Sequence, residues 1–379
     1  MEQKIITPRD NYRELEEWLA CAKERRVLVV HDDSLKYQES FGGRLKEIAG
    51  KSGVELIFFD DFTPNPLYES VAEGVRLFRK EKCGAIIAVG GGSAMDVAKC
   101  VKLYTGIGSD GADGAFLKAA PVPNDIPFLA MPTTAGTGSE ATRFAVIYYG
   151  GKKQSITSES FIPGTVLMDP GVLRTLPIYQ KKATMCDALC HAIESFWSVN
   201  STDESREFSK AAIRGVLENA DGYLANDEDG NAGMLRAAHV AGKAINVTQT
   251  TAGHAMCYKI TSLFRAAHGH AAILCDRVLF PWMVENTDKC IDPRGEKYLK
   301  SALDGIGEAM GCLGAREGAG KLAELFEKLD LPVPEATEEQ FAELRVSVNP
   351  DRLKNHPIAL DEETIDGLYR MILRTKNES

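Results

Sequence analysis

The chain has 379 residues, a net charge of −10, and 44% apolar and 26% charged residues. That length accommodates two sizeable cores, and the balance is that of an ordinary globular protein. The acidic charge, with no basic run, speaks against nucleic acid or an anionic membrane surface as partner. No apolar stretch approaches the ~20 residues of a membrane helix.

The opening segment, MEQKIITPRDNYRELEEWLA, is charged and helix-like and lacks the basic-then-apolar order of a secretion signal. The nine cysteines are scattered without a CxxC pair, which reads as reduced thiols. A cytoplasmic location is therefore expected. Next, short β-branched runs alternate with helical stretches. RVLVVHD (26–32), VELIFFDDF (54–62), GAIIAVGGG (84–92) and PFLAMPT (127–133) read as buried strands, and residues 68–82 and 93–106 as helices. This order predicts a parallel sheet covered on both faces, with ligands at the carboxyl ends of its strands.

The strand over residues 84–92 ends in Gly90, Gly91 and Gly92, followed by Ser93 and a helix. Glycines admit a phosphate close to backbone N–H groups, and a helix N-terminus favours its charge. Ser93 and Asp96 resemble a capping box, with Asp in the usual Glu or Gln position. The run is not GxGxxG, since Met95 stands where the third glycine belongs. By itself it reads equally as a tight strand-to-helix turn. A second loop, Pro132 to Glu140, also follows a strand and is rich in hydroxyls and glycine: Thr133, Thr134, Thr137 and Ser139 flank Gly136 and Gly138. Two such loops at one sheet edge suit the two ends of a dinucleotide. Asp32 closes an earlier strand, where an acid can accept from an adenosine ribose and repel a 2′-phosphate, favouring NAD(H) without excluding NADP(H). It reads equally as a solvated turn residue.

From Pro177 onward helical periodicity takes over, so the expected division is an α/β dinucleotide-binding domain over 1–177 and an all-helical domain over 178–379. The default site is the cleft between them. Asp187 and His191, four apart, share one helix face. His254 lies in another helical stretch ending near Phe264, and His268 follows a short turn and opens the next helix. One carboxylate and three imidazoles suit Fe²⁺, Zn²⁺ or a similar divalent ion. Cys186 and Cys190 are rotated off that face and read as packed thiols.

At GGGSAMDVAK (90–99), PTTAGTGSEAT (132–142), LMDPGVLRTLP (167–177), CDALCHAIESFWS (186–198) and GHAMCYKITSLFRAAHGHA (253–271), the sequence resembles the iron-containing (group III) alcohol dehydrogenase family over essentially its whole length. The resemblance implies a dehydroquinate synthase-like architecture, a homodimer, and metal-dependent interconversion of a small aldehyde and a primary alcohol with a nicotinamide cofactor. It places metal ligands at Asp187, His191, His254 and His268, the pyrophosphate at Gly91, Gly92 and Ser93, and further cofactor contacts at Thr133, Thr134 and the 136–138 loop. Many members carry a second histidine four residues after the position of His254; here that residue is Tyr258. Proton delivery then falls to Tyr258, a ribose hydroxyl or bound water.

Within the family, the 252–271 segment is similar to a subgroup reducing phosphonoacetaldehyde to 2-hydroxyethylphosphonate. Lys259, beside Tyr258 and taken with it as catalytic, joins Arg265 as the expected contact for the phosphonate. Thr261 and Ser262 add hydroxyls nearby. Both cations read equally as solvated helix-end charges. The alternatives are a broad-range short-chain alcohol or diol dehydrogenase, a dehydroquinate synthase-type lyase, and a non-catalytic nucleotide-binding protein.

Overall fold

Buried β-branched runs need a covered sheet, and the computed structural model, which describes residues 3–22, 25–33 and 39–376, supplies one. The chain divides into two compact units, residues 1–176 and 177–379. In the first, β1 (Lys4–Ile6), β2 (Arg26–His31), β3 (Glu55–Phe59), β4 (Ala85–Gly90), β5 (Phe128–Pro132) and β8 (Thr165–Leu167) form a parallel sheet in the order β1-β8-β5-β4-β2-β3. Every residue of β4 and β5 is buried, as a central strand covered on both faces requires. The helices are α1 (Arg9–Ala20), α2 (Glu39–Lys51), α3 (Tyr68–Lys80) and α4 (Gly92–Tyr104). Tyr68, Val71, Ala72, Val75 and Phe78 make one apolar stripe of α3, which packs on the core with Val97 and Val101 of α4.

Four strands of this unit depart from the sequence expectation. β1 falls inside the opening segment read as helix-like, whose residues 1 and 2 lie outside the described residues. β8 is three residues long, too short for a period to show. The antiparallel hairpin of β6 (Phe144–Tyr149) and β7 (Lys152–Thr157) did carry a signal: Gly150 and Gly151, both at positive φ, form its two-residue turn.

The capping-box expectation for Ser93 and Asp96 is corrected. Helix α4 begins at Gly92 behind Gly91, and no side chain caps it. Asp96 instead points sideways: Oδ1 accepts from Ser139 Oγ at 3.2 Å and Oδ2 from the Val146 N–H at 3.1 Å. Buried Lys99 completes the network, donating to Ser139 Oγ, Thr142 Oγ1 and the Phe144 carbonyl at 2.9, 3.1 and 2.7 Å. Burial pushes the Asp96 carboxyl up to about 6, against the pull of Lys99, and the Lys99 ammonium down to about 8, against the pull of Asp96.

The second unit is helical: α5 (Ile178–Trp197), α6 (Asp203–Leu224), α7 (Glu228–Thr248), α8 (Ala252–Phe264), α9 (His268–Glu285), α10 (Glu296–Ala309), α11 (Ala315–Leu329), α12 (Glu338–Ser347), α13 (Pro350–Leu353) and α14 (Glu362–Ile372). From Met185 to Trp197 every residue of α5 is buried, which makes it the central helix. Its start is held by Lys181, buried and donating to the Tyr223 carbonyl and the Asn226 and Asn231 side chains, each at 2.9 Å. The one strand pairing of this unit among the described residues joins Glu335–Ala336 to Arg374–Thr375. No described helix is long and apolar enough to cross a membrane.

Replacing Asp96 with Ala removes two hydrogen bonds and the nearest counter-charge of a buried ammonium. A loss of about 2–4 kcal/mol in urea unfolding is expected. Unchanged stability with weakened cofactor binding would restore the cofactor-contact reading of Asp96.

Candidate metal centre and cofactor loops

In the first unit, sheet register brings the sequence-predicted loops together. Asp32 follows β2, whose neighbour β4 leads into Gly90–Gly92; on the other side of β4, Gly90 pairs with Pro132 at the end of β5. The chain leaves β2 for β3 on one side and returns as β4 on the other, so this edge is the topological switch point where parallel sheets bind ligands. Gly90, at φ +155°, has no room for a Cβ, which would stand 2.5 Å from Asp32 Oδ2 and 2.6 Å from Ala94 Cβ. A Cβ on Gly91 would reach Thr134 at 3.6 Å, and one on Gly92 would reach Thr137 at 3.3 Å, so the two loops face each other. Ser93 stands in the first turn of α4, whose N-cap, Gly91, has no side chain to cap it.

Several residues of the expected cofactor set have work within the protein, Thr137 among them, its Oγ1 accepting the Ser139 N–H at 3.2 Å. Asp32 Oδ2 accepts the Gly91 N–H at 2.9 Å, holding the glycine turn. The Thr133 N–H donates to the Gly90 carbonyl at 3.0 Å. Asp96 and buried Ser139 bond each other beneath the loops, a departure from their expected role as cofactor contacts.

In the second unit, Asp187, His254 and His268 come from α5, α8 and the first position of α9, with ligand atoms all within 4.8 Å of one another. Asp187 Oδ1 faces His254 Nε2 at 3.4 Å, and both atoms are buried without a hydrogen-bond partner. Two orphaned donor atoms aimed at each other in an interior are what a metal ion satisfies. His191 joins this group: Nε2 lies 3.9 Å from Asp187 Oδ1, and its ring stacks on that of His254 at 4.5 Å. One oxygen and three imidazole nitrogens fit Fe²⁺ or Zn²⁺.

Glycines allow this convergence. A Cβ on Gly269, next to His268, would stand 2.0 Å from the Ala183 carbonyl oxygen of α5. One on Gly253, next to His254, would stand 1.9 Å from Asp276 Oδ1. Helix α9 therefore lies backbone-close to α5 at Gly269, and α8 clears Asp276 of α9 and the Glu194 carboxylate of α5 at Gly253. Cys186 and Cys190 are wholly buried, and burial pushes both thiols well up, as expected of packed thiols.

A carboxylate that the sequence reading missed orients the site. Glu194 lies one turn beyond His191 and two beyond Asp187, on the same stripe of α5. It receives hydrogen bonds from His254 Nδ1, the His254 N–H at 3.0 Å, the Thr251 N–H at 2.5 Å and Thr251 Oγ1 at 2.7 Å. This fixes Nδ1 as donor and turns Nε2 toward Asp187. Burial opposes charge on both carboxylates, but their histidines win. Asp187 is held well below the usual range by His191, His254 and His268, and Glu194 is lowered by His254 and the Thr251 donors. Burial pulls His254 down, yet Glu194 and Asp187 raise it to about 10.

Around His268 the structure differs from the expected substrate contacts. Lys259, half-buried, is ion-paired to Glu343 of α12. Arg265 is exposed and caps α8 at φ +54°. Ser262 Oγ bonds back to the Lys259 carbonyl at 3.1 Å. Tyr258 stacks on His268 with ring centroids 5.5 Å apart, and its hydroxyl accepts from Arg352 Nη1 at 3.2 Å. Arg352, on α13, is a cation that no local pattern points to, 94 residues from its tyrosine.

Two outcomes follow. Glu194→Gln should weaken divalent-ion affinity about 10- to 100-fold in chelator competition; unchanged affinity would make Glu194 a packing residue only. Below a pH of about 10 the His254 imidazole carries a second proton, which must leave Nε2 before it can ligate. Zn²⁺ affinity should therefore rise with pH, and calorimetry in buffers of different ionisation enthalpy should show proton release.

Residues 2–170 match the profile of iron-containing alcohol dehydrogenase, and residues 181–373 that of the Fe-containing alcohol dehydrogenase family, C-terminal. The chain is 31% identical to the phosphonoacetaldehyde reductase of Streptomyces viridochromogenes over 312 residues, 79% of each chain. It is 30% identical to the NAD-dependent methanol dehydrogenase of Bacillus methanolicus, over 68% of this chain and 67% of that one. The crystal structure of the sulfoacetaldehyde reductase of Bifidobacterium kashiwanohense in complex with NAD+ superposes with a TM-score of 0.86 at 26% identity, covering 99% of this chain and 98% of that one. The chain belongs to the iron-containing alcohol dehydrogenase family and is a metal-dependent, NAD-linked alcohol/aldehyde oxidoreductase.

Proposed function

We propose that this enzyme reduces a short aldehyde carrying an anionic group, phosphonoacetaldehyde, to 2-hydroxyethylphosphonate with NADH. The observation that carries the reaction is the buried, unsatisfied pair Asp187 Oδ1 and His254 Nε2, joined by His268 and flanked by His191. The substrate rests on two relatives whose names both specify an acetaldehyde bearing an acid group.

Asp187, His191, His254 and His268 hold the ion, and Glu194 fixes the tautomer of His254. When bound, the ion supplies Lewis acidity to a carbonyl oxygen, and the reduced nicotinamide supplies the hydride. The Gly92 and Ser93 amides take the pyrophosphate, with Gly91 held in the turn by Asp32 and Thr134 and Thr137 beside them. Asp32, besides holding Gly91, presents a carboxylate to the ribose side and disfavours a 2′-phosphate. Tyr258 Oη receives Arg352 Nη1, and burial, opposed by Arg352, keeps the phenol protonated well above its ordinary range. Its hydroxyl, beside the His268 ring, has a proton to give to the product oxygen.

With phosphonoacetaldehyde and butyraldehyde at equal concentration, kcat/KM for the charged aldehyde should be at least about tenfold higher. Equal values would favour a broad-range alcohol dehydrogenase instead. His268→Ala should lose bound metal and turnover together; full turnover by a metal-free variant would overturn the metal assignment.

A further inference from the structure

We infer that Arg352, not Lys259 or Arg265, anchors the anionic end of the substrate; this rests on the anionic-aldehyde reading above. The four ligand side chains differ sharply in exposure: those of Asp187, His191 and His254 are 4%, 7% and 2% exposed, and that of His268 is 38%. Access to the group is therefore from the side of His268. On that side lies Tyr258, stacked on His268, and against Tyr258 lies Arg352, its Cζ 5.0 Å from the ring centroid.

Charge balance selects among the three cations. Lys259 is neutralised by Glu343. Arg265 projects from the exposed end of α8, in a left-handed cap conformation that aims the chain at the next helix. No carboxylate among the described residues pairs with Arg352, whose side-chain contacts are the Tyr258 hydroxyl and ring. A guanidinium carries five N–H donors in a rigid fork, and one hydrogen bond to Tyr258 leaves the rest for an acceptor. A phosphonate or sulfonate presents three oxygens and receives such a fork in bidentate fashion. Tyr258 fixes the fork beside His268, and only one methylene separates the carbonyl carbon of phosphonoacetaldehyde from its phosphorus. Binding the acid group at Arg352 therefore directs the carbonyl back toward the histidines. It also gives Tyr258, in the place of a family histidine, a second use as the platform for the anchor.

The test compares wild type, Arg352→Gln, Arg352→Lys and Lys259→Gln as metal-loaded enzymes, with phosphonoacetaldehyde and propionaldehyde as substrates and ethylphosphonate as inhibitor. In Arg352→Gln, KM for phosphonoacetaldehyde and Ki for ethylphosphonate should each rise about 10- to 100-fold more than KM for propionaldehyde. Arg352→Lys should recover part of the loss, as a point charge without the fork. Lys259→Gln should move the phosphonate constants less than about threefold, the scale of an exposed ion pair. Should Arg352→Gln misfold, the Lys variant decides by the same differential. Equal losses for both aldehydes, or a larger effect at Lys259, would overturn the anchor. A wild type that prefers phosphonoacetaldehyde while Arg352→Gln keeps that preference sinks the anchor alone. A wild type indifferent to ethylphosphonate and to the charge of the aldehyde sinks the substrate reading and the anchor with it.

Discussion

Ionised carboxylates in a protein interior must be compensated where they stand, because burying one costs several kcal/mol. Helix α5 buries two, Asp187 and Glu194, on one stripe, and the second unit is arranged to answer them. Glu194 is met by Thr251 and by His254 from the start of α8; Asp187 is met by His191, His254 and His268. A third carboxyl, Asp276 of α9, is answered less: burial and the neighbouring Glu194 raise it well above its ordinary range, against the pull of His254 and a hydrogen bond from Cys190. Three carboxyls packed into one core thus shift in opposite directions, two down and one up, and the lowered pair determines which way His254 faces.

That electrostatic requirement is coupled to packing. Histidines reach Asp187 and Glu194 only if their helices come close, and two close points are Gly269, against the backbone of α5, and Gly253, against the Asp276 and Glu194 carboxyls, each adjacent to a histidine of the site. A side chain at either glycine would push away the helix that carries the ligand. The thiols of Cys186 and Cys190 fill the core alongside without charge. Chemistry and core packing therefore share the same few residues, and substitutions near the site that look merely steric should alter ion binding as well.

What was legible in the chain follows from range. Asp187 and His191, four apart on a helix, announce a shared face, and Glu194 belongs to the same stripe; reading one turn further would have found it. The central strands were legible because burial on both faces leaves unbroken β-branched runs, whereas β1 and β8 are three residues long and have no period to detect. Asp96 was misread because Ser-x-x-Asp is a local pattern, while its actual partners, Ser139 and Val146, lie 43 and 50 residues away. Local patterns describe what a residue can do, and tertiary contacts decide which option is taken.

The same principle governs the cations. Lys259 and Arg265 stood out because they flank Tyr258 and His268 in the sequence, but adjacency on a helix says nothing about which charge is already spent. Lys259 lies within reach of Glu343 on α12, and an ammonium so paired offers an incoming anion little net field. Arg352 is remote in sequence yet touches the tyrosine stacked on a histidine of the site. Its position depends on the loop and short helix that bring α13 back onto α8, a contact no local window contains. The Asp187–His191 pair is thus built from short-range periodicity, while the Tyr258–Arg352 contact beside it is made across the folded unit.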